Sequence, residues 1–156
     1  MKKSQLILKD KTIYIGQIKN NKPHGKGTIQ YTEEKITWIK RGMFNRGDFV
    51  KGEISGRGRI IEGNFKKGKP IGNAKITYKI GRRSRPTSIY FGKIKKVGKE
   101  NYAPHGKGKM SQIWSGDSSK GEFKNGLLKK GKMYFAKNNK WINWPEKNKL
   151  WKINIK

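Results

Sequence analysis

The chain has 156 residues, of which 39 are Lys or Arg and 10 are Asp or Glu, so its formal net charge is +29. This length fits one domain, and the absence of cysteine excludes disulfides and thiolate chemistry. No apolar run approaches the roughly 20 residues that span a bilayer, and the start, MKKSQLILKDK, has too few apolar residues for a signal peptide. We therefore expect an intracellular protein, soluble or peripherally associated.

The positive charge extends along the whole chain. Residues 1–52, 53–104 and 105–156 carry net charges of +8, +11 and +10. Self-repulsion on this scale destabilises a compact state. An anionic partner would therefore stabilise the fold as well as bind to it.

Five related segments follow one another along the chain. Residues 14–31 read YIGQIKNNKPHGKGTIQY and resemble residues 61–78, while GMFNRGDFVKGEI at 42–54 resembles GEFKNGLLKKGKM at 121–133. The fifth unit runs from YFGKIKK at 90–96 to HGKGKM at 105–110. Alternating apolar and polar residues around a glycine-containing polar stretch predict a β-hairpin for each unit. The leading glycines are Gly16, Gly42, Gly63, Gly92 and Gly121.

A glycine inside a strand normally weakens it. Its recurrence at the same place in each unit predicts a close approach there, most simply by an aromatic ring of the adjacent hairpin. One hairpin is marginally stable in water, so the units are expected to stack and bury a shared aromatic face.

The first unit resembles the MORN repeat family. The matching residues are Tyr14, Gly16, His24, Gly25, Gly27 and Tyr31, whereas the unit at 61–78 has Ile71 in place of the histidine. The resemblance implies an all-β fold, an elongated, twisted antiparallel sheet of about five consecutive hairpins over residues 1–135. The units would start near residues 14, 40, 61, 90 and 119. It also implies a scaffold or tether, a class for which phospholipid binding is often proposed.

Nothing in the sequence points to catalysis. The only histidines, His24 and His105, both occur in HGKG, and the ten acidic residues are scattered. A metal site needs more ligands close by, so both histidines are predicted to shape hairpin turns. No triad or paired carboxylates stand out, and we expect a protein that is not an enzyme and has no cofactor or metal.

Basic clusters are the candidate binding elements. KIGRRSRP at 79–86 is predicted to be a loop between units, and its arginines suit bidentate contacts with phosphate. Lysine clusters at comparable turn-side positions of three hairpins are predicted to line up as one basic ridge. The proposed polyanion-binding residues are Arg82, Arg83, Arg85, Lys66, Lys67, Lys69, Lys93, Lys95, Lys96, Lys129, Lys130 and Lys132.

The C-terminal segment 136–156 departs from the repeat and contains Trp141, Trp144 and Trp151 among lysines. Terminal repeats need a cap over the open sheet edge and the apolar face. The alternative roles are stacking on unpaired bases and insertion at a membrane interface.

Three kinds of anionic partner fit this chemistry. Nucleic acid is the leading one, bound through phosphate and without base readout, because no recognition helix or RNA-binding signature is present. An anionic membrane surface is the second, and an acidic protein partner is the third. Pairing of terminal hairpins between two chains would also be possible, so the oligomeric state stays open.

Overall fold

A computed structural model describes residues 4–8, 12–33, 35–80, 85–98 and 101–145. Within them, twelve strands form one antiparallel sheet whose spatial order is the chain order. A single 3₁₀ turn, Ala136–Asn138, precedes the last strand. The strands are β1 Ser4–Ile7, β2 Ile13–Lys19, β3 Lys22–Glu33, β4 Ile36–Asn45, β5 Asp48–Gly56, β6 Arg59–Lys66, β7 Lys69–Ile80, β8 Arg85–Lys96, β9 Tyr102–Gln112, β10 Ser118–Lys124, β11 Leu127–Phe135 and β12 Lys140–Trp144.

The predicted all-β repeat architecture is confirmed. The five units are the hairpins β2–β3, β4–β5, β6–β7, β8–β9 and β10–β11, with β1 and β12 added at the two ends.

The prediction of a loop over 79–86 is wrong at both of its ends. Lys79 pairs with Pro86 and Ile80 with Arg85, because a bulge after Tyr78 lets the two strands continue.

Alternate side chains of each strand lie on one buried face, called here the packed face. An aromatic ladder runs along it from Tyr14 through Phe44, Phe49 and Phe65 to Tyr102. Successive ring centroids are 5.1, 5.3, 5.2 and 5.9 Å apart. The first and the last of these contacts are edge-to-face and the two between them are tilted. Aromatic pairs at such distances add to the free energy of burial.

The sheet curls so that the packed face lies inside. Phe65 on β6 contacts Tyr102 on β9 across two intervening strands, and the Tyr102 hydroxyl donates to the Gly68 carbonyl at 3.2 Å. The Arg59 guanidinium donates to the Asn101 side-chain oxygen at 2.5 Å. A flat sheet could not bring these strands together, so the curl makes a single sheet able to bury a core.

Glycines form a row across the packed face. Gly16 pairs with Gly27, and the row continues by register through Gly42, Gly52 and Gly63, and then from Gly92 through Gly108, Gly121 and Gly131. A methyl group on Gly27 would overlap the ring of Tyr14. At Gly16 and Gly92 the close approach is therefore by a tyrosine of the same hairpin and not by a ring of the adjacent one, because a tyrosine two residues before each of these glycines folds over the glycine row. At Gly42 and Gly121 the close atoms belong instead to the backbone of the paired strand.

Two parts of the chain share a larger repeat that spans two hairpins. The rings of Tyr14 and Phe44 and those of Tyr90 and Phe123 both meet at 5.1 Å and 76°. In the first part the Gly47 amide donates to the Pro23 carbonyl, and in the second the Gly126 amide donates to the Pro104 carbonyl, both at 2.9 Å. The same contacts thus connect consecutive hairpins in both halves.

Tyr90 provides a pH test of this packing. Burial, and secondarily the neighbouring Tyr78, raises the pKa of Tyr90 from 10.0 to about 12. The unfolded chain ionises this phenol near pH 10 and the folded chain near pH 12, so its stabilising contribution is lost as the pH rises through that window. We expect Tyr90→Phe to reduce the fall in unfolding free energy between pH 10 and 12, measured by urea denaturation. Equal falls in both proteins would contradict this.

Candidate functional site

The side chains between those of the packed face point outwards and form the open face. On β8–β12, one row of the open face reads Phe91, Lys109, Lys120, Lys132 and Asn143, each residue directly opposite the next. The three lysines are exposed. Strands lie about 4.8 Å apart, and like charges placed directly opposite each other destabilise a sheet. This row therefore has an electrostatic cost that a bound anion would remove.

The neighbouring row does little to compensate this charge. It reads Lys107, Glu122 and Lys130, again directly opposite one another. Together the two rows carry five lysines and one glutamate, and Glu122 is the only acidic side chain in them. We call these six residues and their strands the basic patch; its lysines are Lys107, Lys109, Lys120, Lys130 and Lys132.

Exposed aromatic rings flank the basic patch. Phe91 on β8 is 57% exposed and Trp141 on β12 is 51% exposed. Trp141 contacts Tyr134 at 5.2 Å between ring centroids, and the Tyr134 hydroxyl donates to the Asn139 side-chain oxygen at 3.0 Å. One side of Trp141 is thus supported while much of the ring faces solvent.

The open face carries a different pattern of charges on β2–β7. The row that reads Arg41, Glu53, Glu62 and Lys75 is balanced, with Arg41 3.5 Å from Glu53 and Lys75 2.9 Å from Glu62. A groove of about 750 Å³ crosses the first of these strands, and Ile15 lies in its lining. The row beside it reads Lys26, Met43, Lys51 and Asn64 and carries two lysines without an acidic side chain. The larger excess of positive charge, five lysines against one glutamate, lies on β9–β11.

The lysines proposed as one ridge lie in two places. Lys66, Lys67 and Lys69 surround the β6–β7 turn, and Lys95 and Lys96 end β8 at the same edge of the sheet. The other four are placed along strands: Lys93 faces outwards on β8, Lys129 lies at a bulge of β11, and Lys130 and Lys132 belong to the basic patch.

The predicted arginine cluster is only partly described. Arg85 begins β8 at the opposite edge of the sheet from the lysine turns, so it is not part of their cluster. Arg82 and Arg83 lie outside the described residues.

Sequence reasoning missed Lys107, Lys109 and Lys120. A usable signal was present, since Lys109 follows Gly108, Lys120 precedes Gly121 and Lys132 follows Gly131. Aligning the glycines as one row of the sheet would have placed these lysines side by side on the outer face.

The two histidines lie in strands and not in turns. His24 is inside β3 and His105 inside β9, each beside a bulge. At the first bulge Gly25 has φ +65°, and the Gln17 side chain accepts the Lys26 amide at 3.0 Å. The prediction that the histidines shape hairpin turns is therefore wrong, because the HGKG segment forms the bulge that follows the turn.

The two described tryptophans of the C-terminal segment lie on opposite faces of the sheet. Trp144 lies opposite Gly131 on the packed face, and its indole N–H donates to the Leu128 carbonyl at 3.0 Å. Trp144 is therefore part of the packed face, whereas Trp141 faces outwards. Trp151 lies outside the described residues.

In the part of the chain that the structure describes, no three His, Asp or Glu side chains come together as a candidate metal site. Nor do the described residues include a helix that is long and apolar enough to cross a membrane.

Comparison with protein families agrees with this geometry. The model of the MORN repeat matches residues 14–33, 46–61 and 62–81. The chain contains MORN repeats. The matched residues cover nearly all of the β2–β3 hairpin and the whole of β5–β7, and the hairpins β8–β9 and β10–β11 continue the same sheet beyond them. No curated protein matches the chain. MORN repeats suggest a scaffold or binding protein.

Proposed function

We propose that this MORN-repeat protein is a non-catalytic binding protein that docks on the phosphate backbone of a nucleic acid within a large assembly. The observation that carries the proposal is the placement of Lys109, Lys120 and Lys132 directly opposite one another on three strands. The part of their row that lies on β8–β12 contains no acidic side chain. Each lysine that neutralises a phosphate releases condensed counterions, which gives strong and salt-dependent affinity.

The mode of binding follows from the shape of the basic patch. It lies on strand backbones held by the sheet, and the described residues contain no α-helix that could enter a major groove. Lysine ammonium groups meet phosphate as point charges and carry no sequence information. We therefore infer contacts with the backbone that depend little on base sequence.

The test is a salt series with a charge-matched control. Fluorescence anisotropy would follow labelled RNA and duplex DNA of 20–30 nucleotides, with vesicles containing anionic lipid measured in parallel by sedimentation. The variant is Lys109→Gln/Lys120→Gln/Lys132→Gln, and the control is Lys66→Gln/Lys67→Gln/Lys69→Gln at the β6–β7 turn, which removes the same charge. We expect the patch variant to reduce the log–log salt slope by about 2 to 3, and the control by less.

Two outcomes would overturn the proposal. The first is affinity for nucleic acid that hardly changes between low and high salt. The second is release of nucleic acid at physiological salt while anionic vesicles stay bound, which would favour a membrane-surface scaffold instead.

A further inference from the structure

We propose that the basic patch is built for single-stranded rather than duplex nucleic acid, with Trp141 and Phe91 as stacking surfaces for unpaired bases. This inference rests on the proposed function and adds the class of nucleic acid to it. Its basis is the juxtaposition of lysine rows with exposed rings on the same face of the same sheet.

The two rings bracket the lysines. Phe91 lies on β8 and Trp141 on β12, with the three strands of the basic patch between them. Four strand spacings amount to roughly 19 Å, a span of several nucleotides in an extended strand. A single strand that crosses the strands of the sheet would therefore meet one ring, the lysine rows and then the second ring.

Trp141 is placed as a rigid stacking surface. Tyr134 supports one side of the indole, and the hydrogen bond from Tyr134 to Asn139 anchors that support. Half of Trp141 remains exposed although Trp144, three residues later, is used for packing. An exposed, supported ring close to lysines is the arrangement that stacks bases irrespective of their identity.

A duplex and a membrane fit these rings less well. In a duplex the base faces are already stacked inside, so only the lysines could make contacts. On a sheet, side chains stand roughly perpendicular to the surface, and Phe91 lies directly between Lys75 and Lys109, whose side chains are of comparable length. A ring in the position of Phe91 does not project beyond the charged layer, as insertion into a membrane would require.

The test compares an unstructured 20-nucleotide uridine strand with a duplex of the same length, by anisotropy at one salt concentration. We expect wild-type protein to prefer the single strand, and Trp141→Ala to weaken single-strand binding about tenfold while leaving duplex binding unchanged. Phe91→Ala should act in the same direction. Trp114→Ala is the matched control, since Trp114 is 68% exposed but lies in the β9–β10 turn, where its indole N–H bonds to Pro86.

Two further variants separate stacking from other causes. Trp141→Phe keeps a ring and should retain most single-strand affinity, whereas Trp141→Leu keeps apolar bulk and should behave like Trp141→Ala. Thermal unfolding of every variant would confirm that the sheet is intact.

Different experimental results would overturn the proposed function and the single-strand inference. If no nucleic acid binds in a salt-dependent way, the proposed function fails and this inference falls with it. If both nucleic acids bind but Trp141→Ala changes neither affinity, or lowers both equally, only the single-strand inference is overturned.

Discussion

Replacing Phe123 with alanine is expected to lower the free energy of unfolding by about 3–5 kcal/mol. Phe123 is only 3% exposed, and its ring and that of Tyr90 form an edge-to-face contact with 5.1 Å between centroids, where the hairpins β8–β9 and β10–β11 join. Truncation removes the transfer free energy of the ring and leaves a cavity beside Tyr90, which is fully buried. The curled sheet has a thin core, so few other contacts could compensate.

Phe91→Ala is the matched control for this prediction. Phe91 is 57% exposed on the open face, so the same substitution should change the unfolding free energy by no more than about 0.5 kcal/mol. Urea denaturation followed by far-UV circular dichroism would measure both variants. Similar losses for the two would show that the packed face is not the core of the protein.

The second large effect is expected from Gly108→Ala, at about 1–3 kcal/mol or more. A Cβ at this position would lie 2.6 Å from Cε2 of Tyr90 and closer still to the end of the ring. Tyr90 cannot move aside easily, because it is fully buried and its hydroxyl donates to the Lys93 carbonyl at 2.7 Å. The added methyl group therefore forces either the ring or the two strands to shift.

Gly63→Ala tests whether the ring is the cause. Gly63 belongs to the same glycine row, and the atoms nearest to an added Cβ would be the methyl group of Ala74 at 3.0 Å and then backbone atoms at ordinary contact distances of 3.6 and 3.9 Å, with no tyrosine among them. We expect this variant to lose no more than about 1 kcal/mol in the same denaturation experiment. A loss as large as that of Gly108→Ala would mean that any side chain in the row is excluded by the neighbouring backbone.

Much of the fold could be predicted because the sequence patterns that indicate it involve residues close together in the chain. Alternation from Tyr14 to Ile18 indicates a strand, and the recurring glycines indicate units of one kind. The prediction of a loop at 79–86 failed because pairing of Lys79 with Pro86 depends on a bulge, which local composition does not reveal. The histidines were misplaced for the same reason, since the bulge beside Gly25 depends on contacts with the opposite strand.

The basic patch could not be found in this way. A turn separates each of the lysines Lys109, Lys120 and Lys132 from the next along the chain. The sequence prediction relied instead on clusters of lysines that are close together in the chain. The register that puts the three opposite one another is a property of paired strands. A shift of one residue would have turned each of them to the packed face.

Local patterns in the sequence were enough to predict that the protein is an all-β chain of hairpins. Glycine spacing, strand alternation and the tyrosines specify a chain of hairpins, because each depends on neighbours within about 20 residues along the chain. Which residues of the same type are buried and which are exposed depends on contacts between strands that are distant in the chain. Trp144 is packed and Trp141 is open, and Phe123 is core while Phe91 is surface, because strand register and sheet curvature select the face that is buried.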